Sequence, residues 1–225
     1  MAELEATMRT TFAARDFTDE EVTDAEVHHL LDLARFASSG GNRQGWRVVV
    51  VREADTKRRL IDLGRPTMAV YVTQAAAGER PFNTVHRTTV DIAAAEADPP
   101  DLGWVDALAE APVHLVVGVD LTEVAAFDSE LDRVGVVAGA SIYPFVHNIL
   151  LAARSVGLGG TLTTFISRAE AEVRELVGFP EHVAVAALVP LGRPTRTLTR
   201  LRREPVERFA RLERWDGPAL QAPAQ

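Results

Sequence analysis

Three short stretches hold groups that could bind a ligand. The first is "SSGGNRQGW", where Ser38, Ser39, Asn42 and Gln44 crowd hydroxyl and amide side chains into one glycine-relaxed connection. Glycine lets backbone approach a ligand closely, so such a connection can offer both N–H groups and side chains to a polar edge. The second is Leu162, Thr163 and Thr164, in the run "GLGGTLTTFI". The third is a set of arginines, notably Arg15 in "FAARDF" and Arg203 in "RLRRE". Lys57 is the only lysine, so an anion must be met by arginine or by backbone N–H groups.

Other chemistries are excluded by what is missing. There is no cysteine, which removes disulfides, thiolate nucleophiles and cysteine-held zinc or iron–sulfur groups. None of the 6 histidines falls in a metal-binding motif. His28 and His29, adjacent on a helix, point about 100° apart and cannot share an ion. "GASIY" around Ser141 lacks the second glycine of a nucleophile elbow. "GLGGTL" has Leu162 where a dinucleotide fingerprint needs its last glycine, and it follows a helix rather than a strand. No phosphate-binding P-loop is present. What remains suits the holding of a polar, anionic organic cofactor better than a side-chain catalytic machine.

These groups must be positioned by a chain of 225 residues, 47% hydrophobic, with a formal charge of −8. That length can bury a sizeable core, and the acidity argues against wholesale attraction to nucleic acid or an anionic membrane. "MAELEATMRT" is acidic without an apolar h-region, and no apolar run approaches the ~20 residues of a membrane helix. The expectation is a cytoplasmic protein with one domain over residues 1–215 and a disordered tail over 216–225.

Periodicity supplies the elements. Val27, Leu30, Leu31, Ala34 and Ala37 form one face of a helix opened by a Thr23–Glu26 capping box and ended by Ser39, Gly40 and Gly41. "WRVVVV" reads as a central strand covered on both sides, and "PVHLVVGVDL" and "VAVAALVPLG" as two more buried strands. "ADTKRRLIDLG" reads as a short helix closed by Gly64. Residues 65–112 read as an irregular insertion, in which Arg80, Phe82 and Arg87 could line the mouth of a substrate or nicotinamide site. A mostly apolar helix spans about Val136 to Val156, with Pro144 kinking it or marking its true start. A second capping box, Ser167 with Glu170, opens the helix "RAEAEVRELVGF".

Taken in order, these motifs resemble the nitroreductase family of FMN-dependent flavoenzymes. "FAARDF" places Arg15 and Phe17 on the end of that family's N-terminal motif, and "SSGGNRQGW" places Ser39, Asn42, Gln44 and Trp46 on its second. "VHNILLAARSVGLGGTLTTF" matches its long helix and Gly-Leu-Gly, and "LGRP" and "RREPVE" match its late strand end and basic residue. The matches run from Arg15 to about Glu207. The chain departs from the family at Thr11, Phe12 and Ala13, where Arg-Arg-Ser is usual, with Arg9 two positions earlier as a substitute. It departs again at Ser38, for proline, and at His147, for glutamine.

The resemblance implies an α+β fold, a nitroreductase-like helix-covered sheet in a single domain, forming a domain-interlocked homodimer with the flavin at the interface. It implies FMN as cofactor, with hydride moved from NAD(P)H to a nitroaromatic, quinone or enone by a ping-pong mechanism. Arg15 and Arg203 would meet the FMN phosphate. Ser38, Ser39, Asn42 and Gln44 would reach the flavin's polar rim or ribityl chain, and Leu162, Thr163 and Thr164 would touch the flavin. No side chain is assigned as a catalyst, because flavin N5 carries the chemistry. The alternatives are a flavin-binding or storage protein without NAD(P)H turnover, or a dehalogenase or flavin-cleaving enzyme on the same scaffold.

Overall fold

Alternation of apolar residues fixes which side of each strand meets which helix. The computed structural model describes residues 2–223. Its strands are β1 (Trp46–Val51), β2 (Val113–Asp120), β3 (Gly159–Gly160) and β4 (Val183–Gly192). They form one antiparallel sheet in the order β1-β2-β4-β3. The helices are α1 (Ala2–Thr10), α2 (Asp24–Ala34), α3 (Ala54–Ala76), α4 (Ile92–Ala97), α5 (Gly103–Asp106), α6 (Tyr143–Ser155), α7 (Glu170–Val177) and α8 (Val206–Phe209).

Helices cover both faces of the sheet. On one face Leu115, Val117 and Val189 pack with Leu30 of α2 and with Phe145 and Ile149 of α6. On the other, Val116, Val185 and Leu188 pack with Leu60, Ile61 and Met68 of α3 and with Phe165 and Ile166. Burying each large aliphatic or aromatic side chain is worth about 1.5–3 kcal/mol, and this double layer is what holds the sheet rigid. The Thr23–Glu26 capping box forms as expected, and Arg193 adds an ion pair to Glu26 at 2.8 Å.

Several expectations are corrected. β1 is an edge strand within the chain, not a central one, and only Val51 on it is fully buried. α3 does not stop at Gly64 but runs on through Pro66 to Ala76. Its buried stripe of Leu60, Ile61, Gly64 and Met68 keeps helical spacing across the proline, and Pro66 itself faces solvent. Arg65 pins this turn by pairing with Asp62 at 3.3 Å and Asp106 at 2.5 Å. The stretch 65–112 is therefore substantially helical rather than irregular. Pro144 marks the true start of α6, in the first turn, where its missing N–H costs no helical bond. The Ser167–Glu170 box does not form. Ser167 Oγ donates to the Thr164 carbonyl at 2.7 Å, and the Glu170 carboxylate accepts from Val185 N at 2.8 Å.

The described part of the segment 216–225 makes main-chain bonds back to residues 210–212. Leu212 N donates to the Pro218 carbonyl at 2.9 Å and Leu220 N to the Ala210 carbonyl at 3.1 Å, which fixes residues 216–220. Residues 224–225 lie outside the described residues.

Gly64 is a contact, not a stop signal. A Cβ there would lie 2.0 Å from the Phe165 ring. Gly64→Ala should lower the unfolding free energy by about 1–3 kcal/mol, the usual cost of overpacking, read from urea denaturation. An unchanged midpoint would mean that α3 and Phe165 move apart freely.

Candidate functional site

Two close approaches build a cleft. At the first, Gly64 lets Phe165 lie on α3, which brings the segment Leu162–Phe165 beside Thr67, Met68 and Tyr71. At the second, Ala14 N donates to the Gly160 carbonyl at 3.0 Å, bridging Ala13 to Gly160. A Cβ on Gly160 would sit 2.7 Å from the Pro190 carbonyl oxygen, so only glycine fits this crossing. The bridge delivers Arg15 to the same place.

The resulting cleft has a volume of about 720 Å³. Its walls are Met68, Tyr71, Phe82, Trp104, Leu162 and Phe165, with Arg15, Arg168, Thr67, Thr163, Thr164 and Ser167 among them. The Arg15 guanidinium lies 5.8 Å from the Trp104 ring centroid and has no carboxylate partner among the described residues. Arg168 is already paired with Glu96 at 2.5 Å. Among the described residues, no carboxylate, imidazole or thiol lines the cleft. Thr163 is anchored to β4 through main-chain bonds with Leu188 in both directions, and its hydroxyl donates to the Leu188 carbonyl at 3.1 Å. Thr164 is exposed beside it.

Of the residues singled out by sequence, Arg15, Phe82, Leu162, Thr163 and Thr164 are thus brought together, and Arg80 and Arg87 line a recess that shares Phe82. The flavin-loop residues, Arg203 and Arg9 stand apart from them in the chain. Ser38 is exposed, without a side-chain hydrogen bond among the described residues. Ser39 Oγ accepts from Gln44 N at 3.0 Å and closes the loop, while Gly40 N donates to Ser141 Oγ at 3.1 Å. Asn42 and Gln44 are exposed and both left-handed, with φ of 55° and 53°. Asparagine tolerates that region, but glutamine there is strained, and such strain collects at ligand-binding sites. Arg203 is exposed and donates only to the Arg202 carbonyl, at 2.8 Å. Arg9 is paired with Glu5 on α1 and does not line the cleft.

Trp46 is a packing residue. It stacks on Phe145 with ring centroids 4.7 Å apart and planes 2° from parallel. Lys57, the sole lysine, is buried. Its ammonium donates to the Ala111 carbonyl at 2.6 Å, and burial lowers its pKa. It cannot serve an anion in the cleft, which leaves arginine for that task.

A helix ending at Gly64 leaves out Thr67, Met68 and Tyr71, which α3 brings to the cleft; helical spacing that continues past Pro66 is the signal for them. Trp104 carries no local signal and reaches the cleft only through long-range packing, whereas Arg168 lies on the same turn as Phe165 and Ser167.

A helix-covered antiparallel sheet with an open, aromatic-walled cleft and no acid–base pair defines a scaffold of the cofactor-holding kind. The Nitroreductase family pattern matches residues 7–193, and the chain belongs to that family, one of oxidoreductases. An NADH dehydrogenase of Thermus thermophilus is 27% identical over 220 residues, covering 86% of this chain and 88% of that one. A nitroreductase with bound FMN from Desulfitobacterium hafniense superposes with a TM-score of 0.61 at 21% identity, covering 91% of this chain and 95% of the other. A BluB-like flavoprotein from Clostridium difficile gives 0.68 at 20% identity, covering 92% and 97%. These two likenesses establish the shared fold. Among the described residues, no helix is long and apolar enough to cross a membrane.

Proposed function

We propose that the chain is an FMN-dependent oxidoreductase, active as a homodimer, that moves hydride from NAD(P)H to a small organic acceptor such as a nitroaromatic, quinone or enone. The carrying observation is the composition of the cleft. It is within the roughly 300–1,000 Å³ of small-molecule sites. It offers apolar walls for a flat ring and an unpaired arginine for an anion, and among the described residues no carboxylate, imidazole or thiol lines it to act as a base or to activate its hydroxyls. Such a site fits chemistry that the cofactor brings with it. When bound, FMN supplies the two-electron relay between donor and acceptor.

The chain's own residues bind and orient. Arg15 meets the phosphate, Trp104 and Phe82 exclude water from the ring, and Thr163 and Thr164 bear on its edge. The loop of Ser38, Ser39, Asn42 and Gln44 lies outside the cleft of its own chain, and its exposed side chains suit a flavin seated between two chains. That division supports the dimer.

The purified protein, loaded with FMN and titrated anaerobically, should lose its yellow absorbance on addition of NADH or NADPH. A yellow protein bleached by neither would establish binding without turnover, and a colourless one that FMN cannot reconstitute would remove the cofactor. The two-chain site has its own test. Arg15→Ala chains and Ser39→Ala/Asn42→Ala chains should each bind FMN weakly, yet regain tight sites when refolded together, since one site of each mixed dimer then carries neither defect. No recovery on mixing would place both groups at the same chain's site.

A further inference from the structure

Beside the cleft, and sharing Phe82 with it as a common wall, lies a second recess of about 350 Å³. Arg80, His86 and Arg87 line it. The segment that carries them is built to hold its shape. The Glu79 carboxylate accepts from Thr88 Oγ1 at 2.6 Å and from the N–H and hydroxyl of Thr89 at 2.7 Å each. Buried Gln74 accepts from Phe82 N at 2.9 Å through Oε1. Asn83 Oδ1 accepts from Val85 N and His86 N at 2.8 Å each. Residues 79–89 are thereby closed into one ring around the recess.

Two features point to a ligand. Phe82 is left-handed, with φ of 52°, a conformation a bulky residue keeps only where its surroundings enforce it. The enforcing contact comes from Gln74, and the outcome is an aromatic wall standing between cleft and recess. The second feature is charge. The Glu79 carboxylate also lines the recess and stays ionised, held below the usual carboxylate range by Thr88 and Thr89, which engage both its oxygens and leave it making no ion pair with either arginine. Neither Arg80 nor Arg87 has an ion-pair or side-chain hydrogen-bond partner among the described residues. Two arginines against the one carboxylate leave the recess net cationic within an acidic protein. Arginine's planar fork suits a carboxylate or phosphate.

We propose that this recess receives an anionic group, a carboxylate or phosphate, on the molecule whose reacting end occupies the cleft, so that the protein selects anionic partners over neutral ones. This rests on the reading of the cleft as the cofactor site. The anion could be borne by the nicotinamide donor or by the acceptor, and both arms can be measured as binding to the oxidised, FMN-loaded protein by calorimetry.

Adenosine 2′,5′-bisphosphate against adenosine serves the donor arm, and 4-nitrobenzoate against 4-nitrobenzamide the acceptor arm. In at least one arm the anion should bind more tightly than its neutral counterpart. Arg80→Ala/Arg87→Ala should weaken the anion by roughly ten- to a hundredfold, the size of a lost charge-assisted contact, leaving the neutral probe and the FMN content unchanged. Arg80→Lys/Arg87→Lys should restore part of the preference. Equal binding of charged and neutral probes in both arms would overturn the inference. So would loss of FMN from the double variant, which would give these arginines to the cofactor phosphate and leave the cofactor reading standing. If the protein takes up no FMN, the cofactor reading fails by itself. The same calorimetry on the apo protein then decides the recess, with anion binding removed by the double substitution supporting it and no anion binding overturning it.

Discussion

Arg15→Ala should weaken FMN binding roughly ten- to a hundredfold, corresponding to the loss of about 1.5–3 kcal/mol of charge-assisted hydrogen bonding, and leave riboflavin binding unchanged. FMN ends in a group carrying close to two negative charges at neutral pH, and a chain with a formal charge of −8 must offset it locally. Lys57 is buried against the Ala111 carbonyl, and Arg168 is paired with Glu96. Arg15 is the cation on the cleft wall without a carboxylate partner, placed there by the Ala14–Gly160 main-chain bond and resting over Trp104. Riboflavin lacks the phosphate, so the two flavins separate a charge contact from a packing contact. Equal weakening of both would show that Arg15 acts through Trp104 and the ring. The same pair of measurements on Arg203→Ala decides whether that residue, remote from the cleft in its own chain, reaches the phosphate across the dimer.

The parts of the fold legible in the sequence are those whose cause is local. The Thr23–Glu26 box satisfies its own donors within four residues, and the runs of β2 and β4 are short, mostly apolar and rich in β-branched valine, which suits a strand buried on both faces. The misreadings share one origin, a local signal overruled by a distant partner. Gly64 resembles a helix end because glycine usually ends helices, yet its reason is the Phe165 ring about a hundred residues on. Ser167 and Glu170 have the spacing of a cap, yet the carboxylate is claimed by Val185 on β4. The candidate site divides in the same way. Arg15 and Leu162–Thr164 were found through motif resemblance, and the structure joins them. Trp104 and Tyr71 arrive by packing alone, and the left-handed turn at Gln44 shows no sequence mark, since glutamine is seldom found there.

Stability should fall by about 3 kcal/mol between pH 6.5 and 4, with His114 as the cause. This side chain is fully buried on β2. Its Nε2 lies 2.8 Å from the Leu108 carbonyl and donates to it, while Nδ1 has no partner. Burial, with the Lys57 ammonium adding repulsion, pushes its pKa down to about 4 from the ordinary 6.5. The sign follows from where the proton goes. Below pH 6.5 the unfolded chain takes it up and the folded chain does not, so stability is complete above 6.5 and drains away until the folded imidazole titrates near 4. A gap of that width, at about 1.4 kcal/mol per unit, gives the stated loss. Asp128 is held down to about 2 by the N–H of Val136 and by Arg133, so the stability it contributes drains mainly below pH 3.8. The span from 6.5 to 5 therefore belongs mostly to His114. The consequence reaches the cleft, because the Leu108 carbonyl belongs to the turn that follows α5, and α5 carries Trp104. Flavin binding should fade with folding in the same acid range. Urea denaturation at pH 6.5 and 5 should show His114→Gln, which can still donate to Leu108 but cannot titrate, losing much less stability across that span than wild type. Parallel losses in the two proteins would assign the proton to another group.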